Sequence, residues 1–280
     1  MWLLKLLAHL PLSILYLFAD FAYFIIYYLK PYRKKVVLEN LHRSFPEKTE
    51  IELEQIAKQF YRNFADVVFE ILKTHTISKN ELNQRVTIKN PDFFKPHFEK
   101  NQPLIVMSAH YCNWEWLLLG VAAQMPFPLA VIYKPLHYKP GDDFMLKVRS
   151  RFNVEPVAVK QISRTLIKRR NEMYALCLLA DQSPTINETK YWTTFLNQDS
   201  AFPTGVEKIA QLSKAAVFYA KTTRLKRGYY EISFELLNDL PNTSETILAK
   251  YIATMEQQIK ETPEDWLWSY RKWKYPKPQE

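Results

Sequence analysis

The sequence predicts an α/β protein, a mixed and largely parallel central sheet flanked by helices, with an N-terminal transmembrane or monotopic helix in front of it. Three observations carry this. From residue 104 onward, short apolar runs alternate with stretches of helical periodicity, the order that yields a sheet covered on both faces. The first thirty residues contain an apolar run unlike anything downstream. Glycine is scarce, four in 280 residues, and neither G-x-G-x-x-G nor G-x-x-x-x-G-K-[ST] occurs. That argues against folds whose loops need glycine to approach phosphate closely.

Taken in order, residues 10–29 read LPLSILYLFADFAYFIIYYL, with Asp20 the one charge. As a helix this spans roughly 30 Å, about the thickness of a bilayer core. Asp20 costs ~3 kcal/mol on insertion scales, which the eleven Leu, Ile and Phe residues offset at roughly 0.3–0.6 kcal/mol each. Lys30, Arg33, Lys34 and Lys35 follow at once. By the positive-inside rule they keep residues 31–280 in the cytoplasm, so the chain divides into an anchor (1–30) and a cytoplasmic domain (31–280). A buried core helix and an in-plane anchor remain alternatives for the first segment.

Residues 48–73 repeat apolar positions at three- and four-residue steps (Leu53, Ile56, Phe60, Phe64, Val67, Val68, Ile71) and predict a helix with one buried face. Strands are predicted at 104–108, 129–133, 154–159, 174–180, 216–221 and 230–237. Helices are predicted between them at 114–124, 144–152, 162–169 and 204–212. A last helix, near 244–260, precedes a tail rich in proline and tryptophan.

Hydrophobic residues make up 48% of the chain and the formal charge is +9, so the protein is globular with anionic partners. Cys112 and Cys177 lack C-x-x-C spacing and read as core residues in a reducing compartment. His9, His42, His75, His97 and His137 show no metal-ligand spacing and read as structural or exposed. No metal or cofactor is expected. The aromatic and cationic tail WLWSYRKWKYPK suits a membrane interface or nucleic-acid stacking, and the apolar N-terminus favours the membrane over nucleic acid.

Ligands of open α/β sheets collect beyond the carboxyl ends of strands. LIVMSAH puts His110 at such an end and YALCLLADQ puts Asp181 and Gln182 at another. His110 and Glu115 stand five apart, about 140° on an ideal helix, so they meet only if His110 lies in the turn before the helix and Glu115 reaches back. A carboxylate on one imidazole nitrogen fixes the tautomer and strengthens the other as a general base. On spacing alone, His110 as a helix cap and Glu115 as a first-turn acid fit equally well. There is no G-x-S-x-G, and Ser108 sits inside a strand, so a nucleophilic serine is not indicated. Lys134, Arg149, Arg151 and Arg164 are the cations suited to phosphate.

AHYCNWEW resembles the H-x4-[DE] block of the glycerolipid and lipid A acyltransferases, in particular the H-F-G-N-W-E form of the bacterial lipid A late acyltransferases. Five further stretches are similar to that family in the same order: NLHRSFPEKTEIELEQIAKQFYRNFADVVFEILK, VIYKP, LLADQSP, TTFLNQDSAFPTG and TPEDWLWSYRKWK. The resemblance covers the anchor and about residues 35–275. Tyr111 and Cys112 stand where Phe-Gly is usual, Lys134 where arginine is, Leu196-Asn197 where Phe-Gly is, and Tyr270 where histidine is common.

The resemblance implies direct acyl transfer from an acyl carrier protein or acyl-CoA thioester to a hydroxyl of an anionic membrane lipid, a lipid A precursor first among them. His110 would be the general base and Glu115 its partner, with Asn113, Lys134, Arg149, Arg151, Arg164, Asp181 and Gln182 contacting substrate. Backbone N–H groups after His110 would hold the oxyanion. A lysophospholipid or amino acid lipid acceptor, or a non-enzymatic protein binding anionic ligands, are the other readings.

Overall fold

A computed structural model describes residues 2–170, 172–185, 188, 190–238 and 246–278, without the side chains of Trp2 and Leu3. The chain opens with helices α1 (Trp2–Leu7) and α2 (Leu12–Phe24), the latter running on as a π-helical stretch to Leu29. Then come α3 (Lys34–Ser44) and α4 (Glu50–Lys73). Thr49 starts α4 with a capping box: its side chain accepts from the Glu52 N–H while the Glu52 carboxylate accepts from the Thr49 N–H. One face of α4 is buried, as its periodicity predicts, and α2 docks lengthwise upon it.

Next are α5 (Lys79–Arg85), β1 (Val86–Ile88), α6 (Lys95–Glu99), β2 (Leu104–Ser108), α7 (Trp114–Gln124), β3 (Leu129–Tyr133), α8 (Lys139–Arg149) and β4 (Val154–Ala158). They are followed by α9 (Ile162–Lys168), β5 (Ala175–Leu179), β6 (Lys190–Phe195), β7 (Gln198–Pro203), α10 (Gly205–Ser213), β8 (Ala216–Lys226), β9 (Tyr229–Leu236) and α11 (Ile247–Glu261). Seven strands form one sheet in the order β1-β9-β8-β2-β5-β3-β4, parallel throughout except for the β8–β9 pair. The mixed, largely parallel sheet flanked by helices is therefore the fold. All six expected strands are present within a residue or two, except that β8 runs five residues further, to Lys226.

Three differences have physical causes. The helix expected over 144–152 lies at Lys139–Arg149. Pro140 occupies its first turn, where a missing N–H costs nothing, and Phe152 is already left-handed at φ 54°. β1 has only three residues, too few to show a period, and is fixed by its neighbour β9. The hairpin β6–β7 turns on Leu196 and Asn197, both with positive φ (48° and 61°). Asn tolerates that conformation; Leu196 is held there by complete burial of its side chain. The start expected near Ser244 for the last helix lies outside the described residues.

The close approach of α7 to β1 depends on Gly120, where an added Cβ would lie 2.5 Å from Val86 Cγ1. Gly120→Ala is expected to destabilise the protein by about 1–3 kcal/mol despite better helix propensity, measured as a lowered urea midpoint.

Candidate active site

Parallel pairing of β2 with β5 sets Ser108 opposite Leu179. Two residues further along each strand, His110 and Asp181 face each other at the carboxyl edge of the sheet. The Asp181 Oδ1 lies 2.8 Å from His110 Nδ1, and Oδ2 accepts from the His110 backbone N–H at 3.1 Å and from Trp266 Nε1 at 3.1 Å. Burial alone would raise the Asp181 carboxyl; the imidazole charge and its hydrogen bonds outweigh burial and hold it below its ordinary value. A carboxylate can only accept, so Nδ1 carries a proton, and in the neutral ring the lone pair is left on Nε2. Nε2 lies 3.4 Å from the Gln182 amide nitrogen.

The carboxylate on the imidazole is thus Asp181, not Glu115. Glu115, in the first turn of α7, is buried and held by Arg149 at the end of α8. Arg149 Nε lies 3.1 and 3.0 Å from the two carboxylate oxygens and Nη2 lies 2.5 Å from Oε1. The guanidinium fork offers paired charge-assisted bonds, stronger than the single one that an imidazole gives. Burial alone would lower the Arg149 pKa, but Glu115 outweighs it and the guanidinium is held above its ordinary value.

His110, Glu115, Lys134, Arg149 and Gln182 share one cavity of about 500 Å³. Its apolar wall comes from Val106, Val131 and Cys177 on adjacent strands and from Leu117 and Leu118 on α7. His137, expected to be structural or exposed, also lines it. Asp181 lies behind the imidazole. Asn113 is not in the lining: its Oδ1 caps α7 through the Trp116 N–H at 2.9 Å, and its Nδ2 donates to Glu70 at 2.8 Å. Arg151 donates to the Thr74 carbonyl and stacks on Phe152, and Arg164 is exposed on α9; neither lines the cavity. The Ser108 hydroxyl donates to the Ala220 carbonyl. The N–H groups of His110, Tyr111 and Cys112 are already bonded, to Asp181, Ala109 and Asp265. Of the backbone donors expected after His110, these three are therefore engaged, and the start of α7 at Asn113 and Trp114 lies beyond them.

The tail expected at a membrane surface instead backs the site. Trp266 and Trp268 are buried, the Leu267 N–H donates to the His110 carbonyl, and Tyr111 bridges to Trp266. Lys272 is buried beside them, its Nζ donating to the Ala201 carbonyl at 2.9 Å over the Phe202 ring. Neither Trp266 nor Lys272 was singled out in the sequence, where aromatic and cationic residues in a tail look like surface.

In comparison with protein families, the model described as bacterial lipid A biosynthesis acyltransferase fits residues 1–275. No curated protein matches the chain.

Burial pushes the Lys272 amine down to about 7, against the pull of Asp181. The unfolded chain keeps that proton to about pH 10 and so binds more protons than the folded one above pH 7; stability rises with pH through this window. Lys272→Met is expected to flatten that rise, by up to ~1.4 kcal/mol per pH unit. Urea denaturation at pH 7, 8 and 9 reads the slope.

Proposed function

The chain belongs to the bacterial lipid A biosynthesis acyltransferase family, and on that premise we propose that it moves a fatty acyl group from an acyl carrier protein or acyl-CoA thioester to a hydroxyl of a lipid A precursor. We place the reaction at the cytoplasmic leaflet of the inner membrane, where both thioesters are found. The observation that carries the reading is the imidazole of His110, oriented by a buried carboxylate, at the rim of a cavity walled by aliphatic side chains.

The acyl chain lies along the apolar wall, where burying each methylene contributes about 0.8 kcal/mol. The acceptor hydroxyl gives its proton to His110 Nε2 as its oxygen attacks the thioester carbonyl. Asp181 favours the imidazolium that forms, as a carboxylate on Nδ1 does in other imidazole bases. The carbon–sulfur bond of the tetrahedral adduct then breaks, the sulfur leaves as a thiol carrying the proton from Nε2, and the ester remains. No acyl-enzyme is required. Arg149 is the cation at the reacting centre, where it favours the developing oxyanion. Glu115 acts through Arg149, fixing its guanidinium, instead of acting on the imidazole. Lys134 and Gln182 complete the polar rim and contact the acceptor.

His110→Ala is expected to lower acyl transfer by about 10²–10⁴-fold, the usual worth of a positioned general base. Asp181→Asn should fall by at least ~10-fold, because an amide can present the imidazole with a donor and the wrong tautomer. Glu115→Ala should be as damaging as Arg149→Ala, and the double variant no worse than either, since the two act as a unit. Mass spectrometry of lipids from deletion cells complemented with each variant reads the transfer as a fixed mass increment on the glucosamine disaccharide. Undiminished incorporation by His110→Ala would overturn the mechanism.

A further inference from the structure

The 18-residue stretch Leu12–Leu29 is long and apolar enough to cross a bilayer, yet one side of it is buried against the protein. The buried residues (Leu12, Leu15, Ala19, Tyr23, Tyr27) fall on one face. At the amino end, Lys73 Nζ donates to the Leu10 carbonyl at 2.9 Å and Thr76 bonds the Ala8 carbonyl. In the middle, Tyr16 donates to Glu70 at 2.8 Å, and Asp20 pairs with Arg227 at 2.7 Å. At the far end Tyr27 bonds Glu54.

Both ends of the segment are therefore fastened along α4, between Glu54 and Lys73, about 28 Å apart at 1.5 Å per residue. A spanning helix would have to take α4 into the hydrocarbon with it, together with Glu54, Lys58, Arg62, Asp66, Glu70 and Lys73, or leave α4 and strip the buried Glu70 and Lys73 of these partners. Either is costlier than the single Asp20 that the sequence shows.

The opposite face is apolar and unpartnered by protein. Leu17, Phe21 and Leu29 are 67%, 62% and 62% exposed, and Ile14, Phe24 and Tyr28 continue the same three- and four-residue spacing. Lys5 and Lys30 stand at its two ends. Asp20, the one charge in the segment, is turned to Arg227, so it is already neutralised where it would otherwise meet lipid.

We propose that this segment does not cross the bilayer: it lies in the plane of the leaflet, with its outer face sunk about 5–10 Å into the boundary between headgroups and acyl chains. Lys5 and Lys30 then sit at the level of anionic phospholipid headgroups on the same side as the sheet. The cationic cluster after Leu29 contacts headgroups and sets no orientation across the membrane. This rests on the docking of α2 and on the membrane association of the family, not on the chemistry assigned to His110.

The test uses the full chain carrying Lys5→Cys or Lys35→Cys, both exposed positions, with the two native thiols buried. A membrane-impermeant maleimide is applied to sealed right-side-out and inverted membrane vesicles. Both introduced thiols are expected to label in inverted vesicles and neither in right-side-out ones. Labelling of Lys5→Cys from the outside together with labelling of Lys35→Cys only from the inside would show a spanning helix and overturn the proposal. With purified protein, vesicles of phosphatidylethanolamine and phosphatidylglycerol should bind the chain, and Phe21→Glu should weaken that binding at least ~10-fold because it replaces outward apolar surface. Unchanged binding of Phe21→Glu would also overturn it. Neither readout involves acyl transfer, so a failure here is separable from a failure of the proposed reaction.

Discussion

The site depends on one register. Parallel pairing between neighbouring strands is all that brings His110 and Asp181 together from positions 71 residues apart, and the hydrogen bonds at 2.8 and 3.1 Å follow from it. Sliding β2 against β5 by one residue would turn each inward side chain outward, which the complete burial of β2 on both faces forbids. The packing energy of five buried residues thus sets the tautomer of an imidazole at the edge of the sheet. The carboxylate needs no local device of its own, and its single further donor, Trp266 Nε1, completes its hydrogen bonding where water is excluded.

Around that pair the chain closes on itself. The residues after α11 return beneath the His110 turn: Leu267 bonds the His110 carbonyl, Asp265 takes the Cys112 N–H, and Trp266 packs against Trp268 and Phe195. On the other side Glu70, wholly buried, gathers Asn113, Tyr230 and Tyr16. Burial raises its pKa, and those donors together with the Arg224 charge pull against the rise. Asn113 is fixed by this carboxylate and fixes the start of α7 in turn, so the residue that looked like a substrate contact is a strut for the helix bearing Glu115.

The sheet and its order of elements were legible because fully apolar strands and amphipathic helices differ in period over windows long enough to count. His110 and Asp181 were each legible as strand ends. Their partnership was not, since sequence proximity favours Glu115 while strand adjacency, which no local pattern encodes, favours Asp181. Arg149 was visible as a candidate cation, but its bond to Glu115 depends on where α8 ends, and Pro140 moved that helix five residues earlier than the apolar pattern suggested. The tail misled for a different reason. Tryptophan and lysine are read by average exposure, whereas Trp266 and Lys272 are buried by tertiary packing that their own segment does not reveal.

Cys112 stands where glycine is usual in the resembling proteins and holds φ at 50°, so an L side chain occupies backbone space that glycine enters freely. Its thiol is sealed, 3.8 Å from the Thr222 carbonyl, and burial pushes its pKa well up. A sulfur in that condition is inert to alkylating reagents until the turn opens. The departure therefore equips the protein with a built-in chemical clock: the rate at which Cys112 becomes alkylated measures how often the segment carrying His110 breathes.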